Sequence, residues 1–399
     1  MLCPMTERLA YIRKARSWTL RVLALSAVCW LGACQSTDHR SEIELASWLH
    51  NPEGWIDRRH VLGRDVFING THDQTVVTEA GLRLGDDAQE KYPGTGVWQS
   101  PVVVPAEAFI ELLPSWNVFA PPGTGLRLEV QTRDAARGDW SPWLHLGTWG
   151  SVSRDSPAVT EFKRGRVEID ILRLKRPADA FRVRLDFLSF AADADASAVV
   201  RRVVVVTSAK AEDQTIAHKV EPTTGTAERD LPVPFHTQQR NPEAIRSRTC
   251  SPTSVSMVMA YRGVDLPTAD HAVGIYDAEY GIFGNWGRAV AWASQHGLTA
   301  ELTRLRNWEQ VETLVAAGQP LIASIAFDEG EFPSNVMEQT NGHLIVVRGL
   351  TAEGDAIVND PASADRGDGI IYKKEELAAA WFSRGGVTYL IGEADGGGP

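Results

Sequence analysis

The chain has 399 residues, 43% of them apolar, with 40 basic against 51 acidic side chains and a formal charge of −11. Such a length and composition describe a globular protein of two or three domains with real cores. The acidic balance and the lack of a basic stripe argue against nucleic acid and anionic membrane surfaces as partners. No Gly-Lys phosphate loop, HExxH or GxGxxG is present, so nucleotide-dependent and zincin chemistry lack support, and neither cofactor nor metal is expected.

Residues 1–33 read as an export signal. Arg8, Arg13, Lys14, Arg16 and Arg21 form a basic start, and Val22 to Ala33 form an apolar core too short to span a bilayer. The segment ends in Leu-Gly-Ala-Cys (31–34), which resembles the lipobox of bacterial lipoproteins. That resemblance implies removal of residues 1–33, lipidation of Cys34, and a cell-envelope protein held to the membrane by its lipid alone. The alternatives are an uncleaved anchor or an ordinary secretory signal. The signal holds five basic residues and one acidic, a net +4, so its removal takes −11 to −15. Gln35 follows Cys34 where a retention signal would have Asp, which favours the outer membrane over the inner.

Residues 34–47 are a polar tether. From 48 to 208 short β-type runs alternate with turn signals: SPVVVP (100–105), LRLEVQT (126–132), VEIDILRL (167–174), FRVRLDFLSF (181–190) and VVRRVVVVTS (199–208). The second and fourth alternate apolar and polar residues, as half-buried strands do. An all-β sandwich or jelly roll is predicted. Residues 209–230 are charged and polar and read as a linker. Over 231–392 helical runs come first, at 251–263, 286–297 and 307–320, with Gly263, Gly297 and Gly318 where C-terminal caps belong. Strands follow at 321–327, 343–350, 356–360 and 387–393, an α+β layout. Residues 393–399 are a tail.

Four cysteines are encoded: Cys3, Cys29, Cys34 and Cys250. If the signal leaves and Cys34 carries lipid, Cys250 is the one thiol remaining. An unpaired thiol in an oxidising compartment points to a reactive or protected group; the bland alternative is an inert buried cysteine. Cys250 precedes Ser-Pro-Thr-Ser and the apolar positions Val255, Met257, Val258 and Tyr261. It therefore stands at or just before a helix start, where free N–H groups and the helix dipole favour a thiolate. A catalytic thiol also needs a base and a group that orients it. His343 sits at the mouth of a strand behind Gly342, and Asp360 ends the next strand. Adjacent antiparallel strands would set the two side by side, with one imidazole nitrogen facing Asp360 and the other Cys250. Singly, packing accounts for a strand histidine and turn formation for an Asp before Pro. His271 and His296 lack such company and read as surface or packing residues.

VPFHTQ (233–238), CSPTSVSMVMAYRG (250–263), GHLIVVRGL (342–350) and IVNDP (357–361), in that order, resemble the C39-like cysteine peptidases. The resemblance implies a papain-like fold from Leu231 to Gly392 and a peptide or protein substrate. It makes Cys250 the nucleophile, His343 the base, Asp360 the orienting carboxylate and Gln238 the oxyanion-hole donor, with Gln239 as a competing assignment. The chain departs from the family in having Ser251 where Cys-Gly-Pro is usual; a Cβ there would crowd a positive-φ backbone or narrow the approach to the thiol. The stretch around Trp98 to Gly150 resembles the galactose-binding-like sandwich found before secreted C39-like peptidases. Trp98, Trp116 and Trp143 are then candidates for stacking on an envelope glycan, although tryptophans spaced through a sandwich also fill cores. The competing reading of the whole chain is a non-catalytic envelope protein that binds glycan or protein through its first domain.

Overall fold

The computed structural model describes residues 54–89, 91–152, 159–191, 196–210 and 228–394. The segments read as export signal and tether, Cys34, most of the segment read as a linker and the last five residues lie outside them.

Twelve strands of the first domain form one antiparallel sheet. The organiser is the 19-residue strand Ile171–Ser189. Near its start Leu172 and Arg173 pair with Leu112 and Glu111; after an irregularity at Ala178/Ala180, residues 180 to 189 pair with the strand Thr124–Asp134, and Arg184 to Ser189 also pair with Gln99 to Gly94. One strand thus serves two layers, and the break in register lets it bend. The first domain is strand-rich as predicted, and its strands connect as one continuous sheet around one core. Side-chain alternation closes it: Phe181, Val183, Leu185 and Phe187 are buried with Leu128 and Val203, while Arg182 and Arg184 face outward. Two predicted strands are corrected. In SPVVVP the prolines flank a single bridge, Val103 to Phe181, and Val102 and Val104 stay exposed. VEIDILRL holds a hairpin turn, with Glu168 opposite Ile171 and Ile169 at φ 58°.

In the second domain seven strands pair antiparallel, in the order Leu298–Arg304, Val387–Ala394, Leu321–Phe327, Thr340–Leu350, Ala356–Asn359, Ile370–Tyr372, with Arg229–Asp230 also on Thr340–Leu350. Helices cover both faces. Cys250–Tyr261 and Trp286–Gln295 share a core with Ile322, Leu344 and Val346; Trp308–Ala316 and Lys374–Phe382 share another with Leu321, Ala323, Ile345 and Val347. Two covered faces explain why these strands read as unbroken apolar runs. Gly263, Gly297 and Gly318, past the ends of three helices, have φ of 88°, 84° and 83°, the left-handed cap that glycine adopts without strain. Helices and strands interleave, rather than helices simply preceding a sheet.

The edge strand Leu298–Arg304 was not predicted. Its outer side is closed by the first domain. Asn117 Oδ1 accepts from the Ala300 amide at 3.0 Å, and the Leu302 amide donates to Ser115 Oγ at 3.1 Å. Edge backbone groups that would otherwise recruit another chain are thereby occupied. Arg304 reaches Glu111, Arg306 reaches Asp57, and Leu113, Ile171 and Val206 enter the second domain's core. Both domains belong to one compact unit.

Candidate active site

Cys250 is the first residue of the helix Cys250–Tyr261. Pro252 falls in the first turn, where its missing N–H breaks no helical bond. Ser251 to Met259 are all buried, so burial of Val255, Met257, Val258 and Met259 anchors the helix with about 1.5–3 kcal/mol per side chain. Cys250 itself keeps part of its surface open.

His343 acts on the Cys250 thiol, through its hydrogen bonding and its charge. On the other side of the ring, Nε2–H donates to Asp360 Oδ1 at 2.8 Å. His343 is 3% exposed and Asp360 0%. Asp360 also accepts from the Tyr372 hydroxyl at 2.7 Å and the Ala362 amide at 2.9 Å. Nδ1 of His343 is the nitrogen left for sulfur.

The Asn-Asp-Pro run assembles the site with three consecutive residues. Asn359 Nδ2 donates to the carbonyls of Val233 and Pro234. Asp360 takes the histidine. The Pro361 carbonyl accepts from the Gln238 amide at 3.0 Å and from Thr237 Oγ1 at 3.1 Å. Gln238 is then linked to the thiol's helix: its carbonyl accepts from the Asn241 amide, and Asn241 Nδ2 donates to Thr249, the residue before Cys250. Gln238 is buried, and its Oε1 has no partner among the described residues. Gln239 is exposed, with its amide spent on the Ala362 carbonyl. Of the two competing glutamines, the geometry leaves Gln238 available.

Burial pushes the Cys250 thiol up, but the hydrogen bond and charge of His343, with the amides of Leu344 and Ser251, outweigh it and hold the thiol below its ordinary value. Burial would lower His343; the charge and hydrogen bond of Asp360, then the thiol, raise it instead. Burial likewise opposes Asp360, and His343, Tyr372 and the Ala362 amide bring it below the usual carboxylate value. All three directions favour a thiolate–imidazolium pair backed by a carboxylate, an arrangement that makes sulfur a nucleophile and the ring a proton carrier.

Ser251 behaves differently from the sequence expectation. It lies in helical backbone with no positive φ, and its hydroxyl points inward to Tyr389 at 3.2 Å. Its Cβ therefore does not narrow the approach to the thiol. The glycan candidates also change. Trp98 is buried, donating to the Phe67 carbonyl, and Trp116 is buried against Gly147 and Gly287. Trp143 is half-buried, with the Arg182 and Arg184 guanidinium groups 5.3 and 4.5 Å from its ring centre. Rings packed in the core, as Trp98 and Trp116 are, offer no face to a sugar. His271 is a packing residue that accepts from Trp292 Nε1. Tyr372, Asn241, Thr249, Ser254 and Tyr389 carried no sequence signal; only Asn359 was visible, inside the Asn-Asp-Pro motif.

Residues 230–389 match the Peptidase_C39 like family, and residues 57–208 match the Peptidase C39 N-terminal domain. The second domain thus belongs to the C39-like peptidase family, which makes the chain a cysteine peptidase-like hydrolase. Similar solved structures include a C39-like peptidase from Bacillus anthracis, at 21% identity and TM-score 0.33 over 42% of this chain and 99% of that one. Another is a double glycine motif protease from an AMS/PCAT transporter in complex with the leader peptide, at 22% and 0.29 over 42% and 96%. A third is the peptidase domain of Streptococcus ComA, at 16% and 0.28 over 37% and 93%. A search of curated proteins gave no match.

Proposed function

We propose that this chain is an exported, lipid-anchored cysteine hydrolase that cleaves a peptide or amide bond through Cys250, His343 and Asp360, with Gln238 in the oxyanion hole. The observation that carries the reading is a partly exposed Cys250, its thiol held below its ordinary pKa by His343, a buried imidazole that a fully buried carboxylate holds. The Cys250 thiolate attacks the carbonyl carbon. The oxyanion takes hydrogen bonds from the Cys250 amide and Gln238 Nε2. His343 gives its Nδ1 proton to the leaving nitrogen, and a thioester forms. Water, deprotonated by His343, then attacks the thioester and releases the acid and the thiol. A papain-like arrangement of helix and sheet suits this division of labour. The neighbour solved with a leader peptide supports a peptide substrate. Export and lipidation rest on the basic, apolar, Leu-Gly-Ala-Cys order of residues 8–34, which supports a cell-envelope location, with the outer membrane favoured.

The test is iodoacetamide alkylation of Cys250 against pH in wild type and His343→Ala, followed by a peptide-library screen with Cys250→Ala as blank. A depressed thiol pKa that rises without His343, and cleavage that Cys250→Ala abolishes, are expected. An ordinary thiol titration indifferent to His343, with no hydrolysis dependent on Cys250, would sink the proposal. Palmitate labelling lost in Cys34→Ala tests the anchor separately.

A further inference from the structure

The first turn of the Cys250–Tyr261 helix lacks a side-chain cap. Thr249, at the cap position, donates its hydroxyl to the Arg246 carbonyl and accepts from Asn241. Something other than a cap must hold the turn that presents the thiol, because apolar packing is non-directional and fixes neither rotation nor register. Two buried serines in the first two turns of that helix make directional bonds to the sheet. Ser251 Oγ pairs with the Tyr389 hydroxyl at 3.2 Å, and Ser254 Oγ donates to the Leu344 carbonyl at 2.9 Å. Ser251, Ser254 and Tyr389 are all fully buried.

The placement of the second bond is informative. Ser254 lies one turn beyond Cys250 on the same helix face, and Leu344 directly follows His343. The Leu344 amide is also one of the groups that stabilise the Cys250 thiolate. Ser254 therefore ties the helix of the thiol to the strand of the imidazole at their point of contact. Ser251 ties the same helix to the strand Val387–Ala394, two places along the sheet from the strand of His343, at the position where this chain departs from its family's glycine.

We propose that the Ser251–Tyr389 and Ser254–Leu344 hydrogen bonds form a two-point clasp that positions Cys250 against His343. Ser251, Ser254 and Tyr389 are positioning residues, acting on neither substrate nor reacting atoms. The inference rests on the catalytic reading above, and its test separates the two.

Ser254→Ala and Tyr389→Phe each remove one hydroxyl and keep the carbon frame. The full chain, both single variants and the double variant are alkylated with iodoacetamide between pH 5 and 10, beside wild type and His343→Ala, with thermal midpoints recorded. In each single variant, alkylation at pH 6 is expected to fall about 3–10-fold, because the thiolate fraction falls as the thiol pKa rises. The plateau at high pH, where every thiol is ionised, stays unchanged. Wild-type profiles in both variants overturn the clasp, even if the thermal midpoint drops, since that pattern is merely structural. If Ser254→Ala does not fold, the Tyr389→Phe profile decides alone. A wild type that titrates as an ordinary thiol, indifferent to His343→Ala, overturns the catalytic reading and the clasp with it. A depressed wild-type pKa that the clasp variants leave in place removes only the clasp.

Discussion

Asp360→Asn isolates what the buried carboxylate contributes. The side chain is fully buried and accepts three hydrogen bonds, from His343, Tyr372 and the Ala362 amide, at 2.8, 2.7 and 2.9 Å. Asparagine fits the same space. Its Oδ1 keeps the bonds to His343 and Ala362, and its Nδ2 meets the Tyr372 oxygen, which already accepts from the Val336 amide. Shape is preserved and the charge is lost. A hydrogen bond to a charged group is worth about 1.5–3 kcal/mol and one between neutral groups about 0.5–1.5, so losing the charge while keeping the bond costs about 1–1.5 kcal/mol. At 1.36 kcal/mol per pKa unit that removes about one unit of support from the imidazolium and, through it, from the thiolate. Alkylation at pH 6 should therefore slow about 10-fold, with kcat/KM falling at least as far. Near-UV circular dichroism confirms the fold, and mass spectrometry follows carbamidomethylation of Cys250. An Asp360→Asn profile that overlays wild type would refute the argument, because it would mean that the His343–Asp360 bond sends no charge to the thiol.

Gln238→Ala should lower kcat by about 10²–10³ while leaving the pH profile of alkylation in place, since the amide is a neutral oxyanion donor. Parallel losses in both readouts would assign Gln238 to holding the thiol instead. Asp170 tests linkage at the domain junction. Burial pushes its pKa from 3.8 to about 7, against the Trp286 amide that donates to it at 2.7 Å. The folded state then binds this proton more tightly than the unfolded chain. The carboxylate weighs nothing below about pH 4, becomes increasingly destabilising through pH 4–7, and weighs most above pH 7, at up to about 4 kcal/mol. Asp170→Asn keeps an acceptor for Trp286, so its stability gain in urea should be larger at pH 8 than at pH 5. An equal gain at both would contradict the linkage.

The sequence by itself determined the parts of this protein that short segments decide. A glycine past a helix end adopts positive φ wherever the helix goes, and Gly263, Gly297 and Gly318 do so. Pro252 marks a first turn, and Cys250 stands at that helix start. Apolar strand runs were also readable: Leu321–Phe327 has the limits predicted for it. The edge strand Leu298–Arg304 instead alternates Leu298, Ala300 and Leu302 with Thr299, Glu301 and Thr303, a short and polar run that predicts no strand by itself. Periodicity says that a side chain is buried and not what it is buried against. For that reason Trp98 and Trp116 could be read as sugar platforms when they are core, and VEIDILRL as a strand when it turns. The pairing of Ser254 with Leu344 spans 90 positions, and that of Ser251 with Tyr389 spans 138. Strand order alone brings such residues together. It is set by the burial of two sheet faces and by the Asn117 and Ser115 contacts that close the peptidase sheet's edge. The identities of thiol, imidazole and carboxylate were therefore written locally. Their hydrogen bonds, the burial that shifts their protons and the hydroxyls behind them exist only once the sheet has closed.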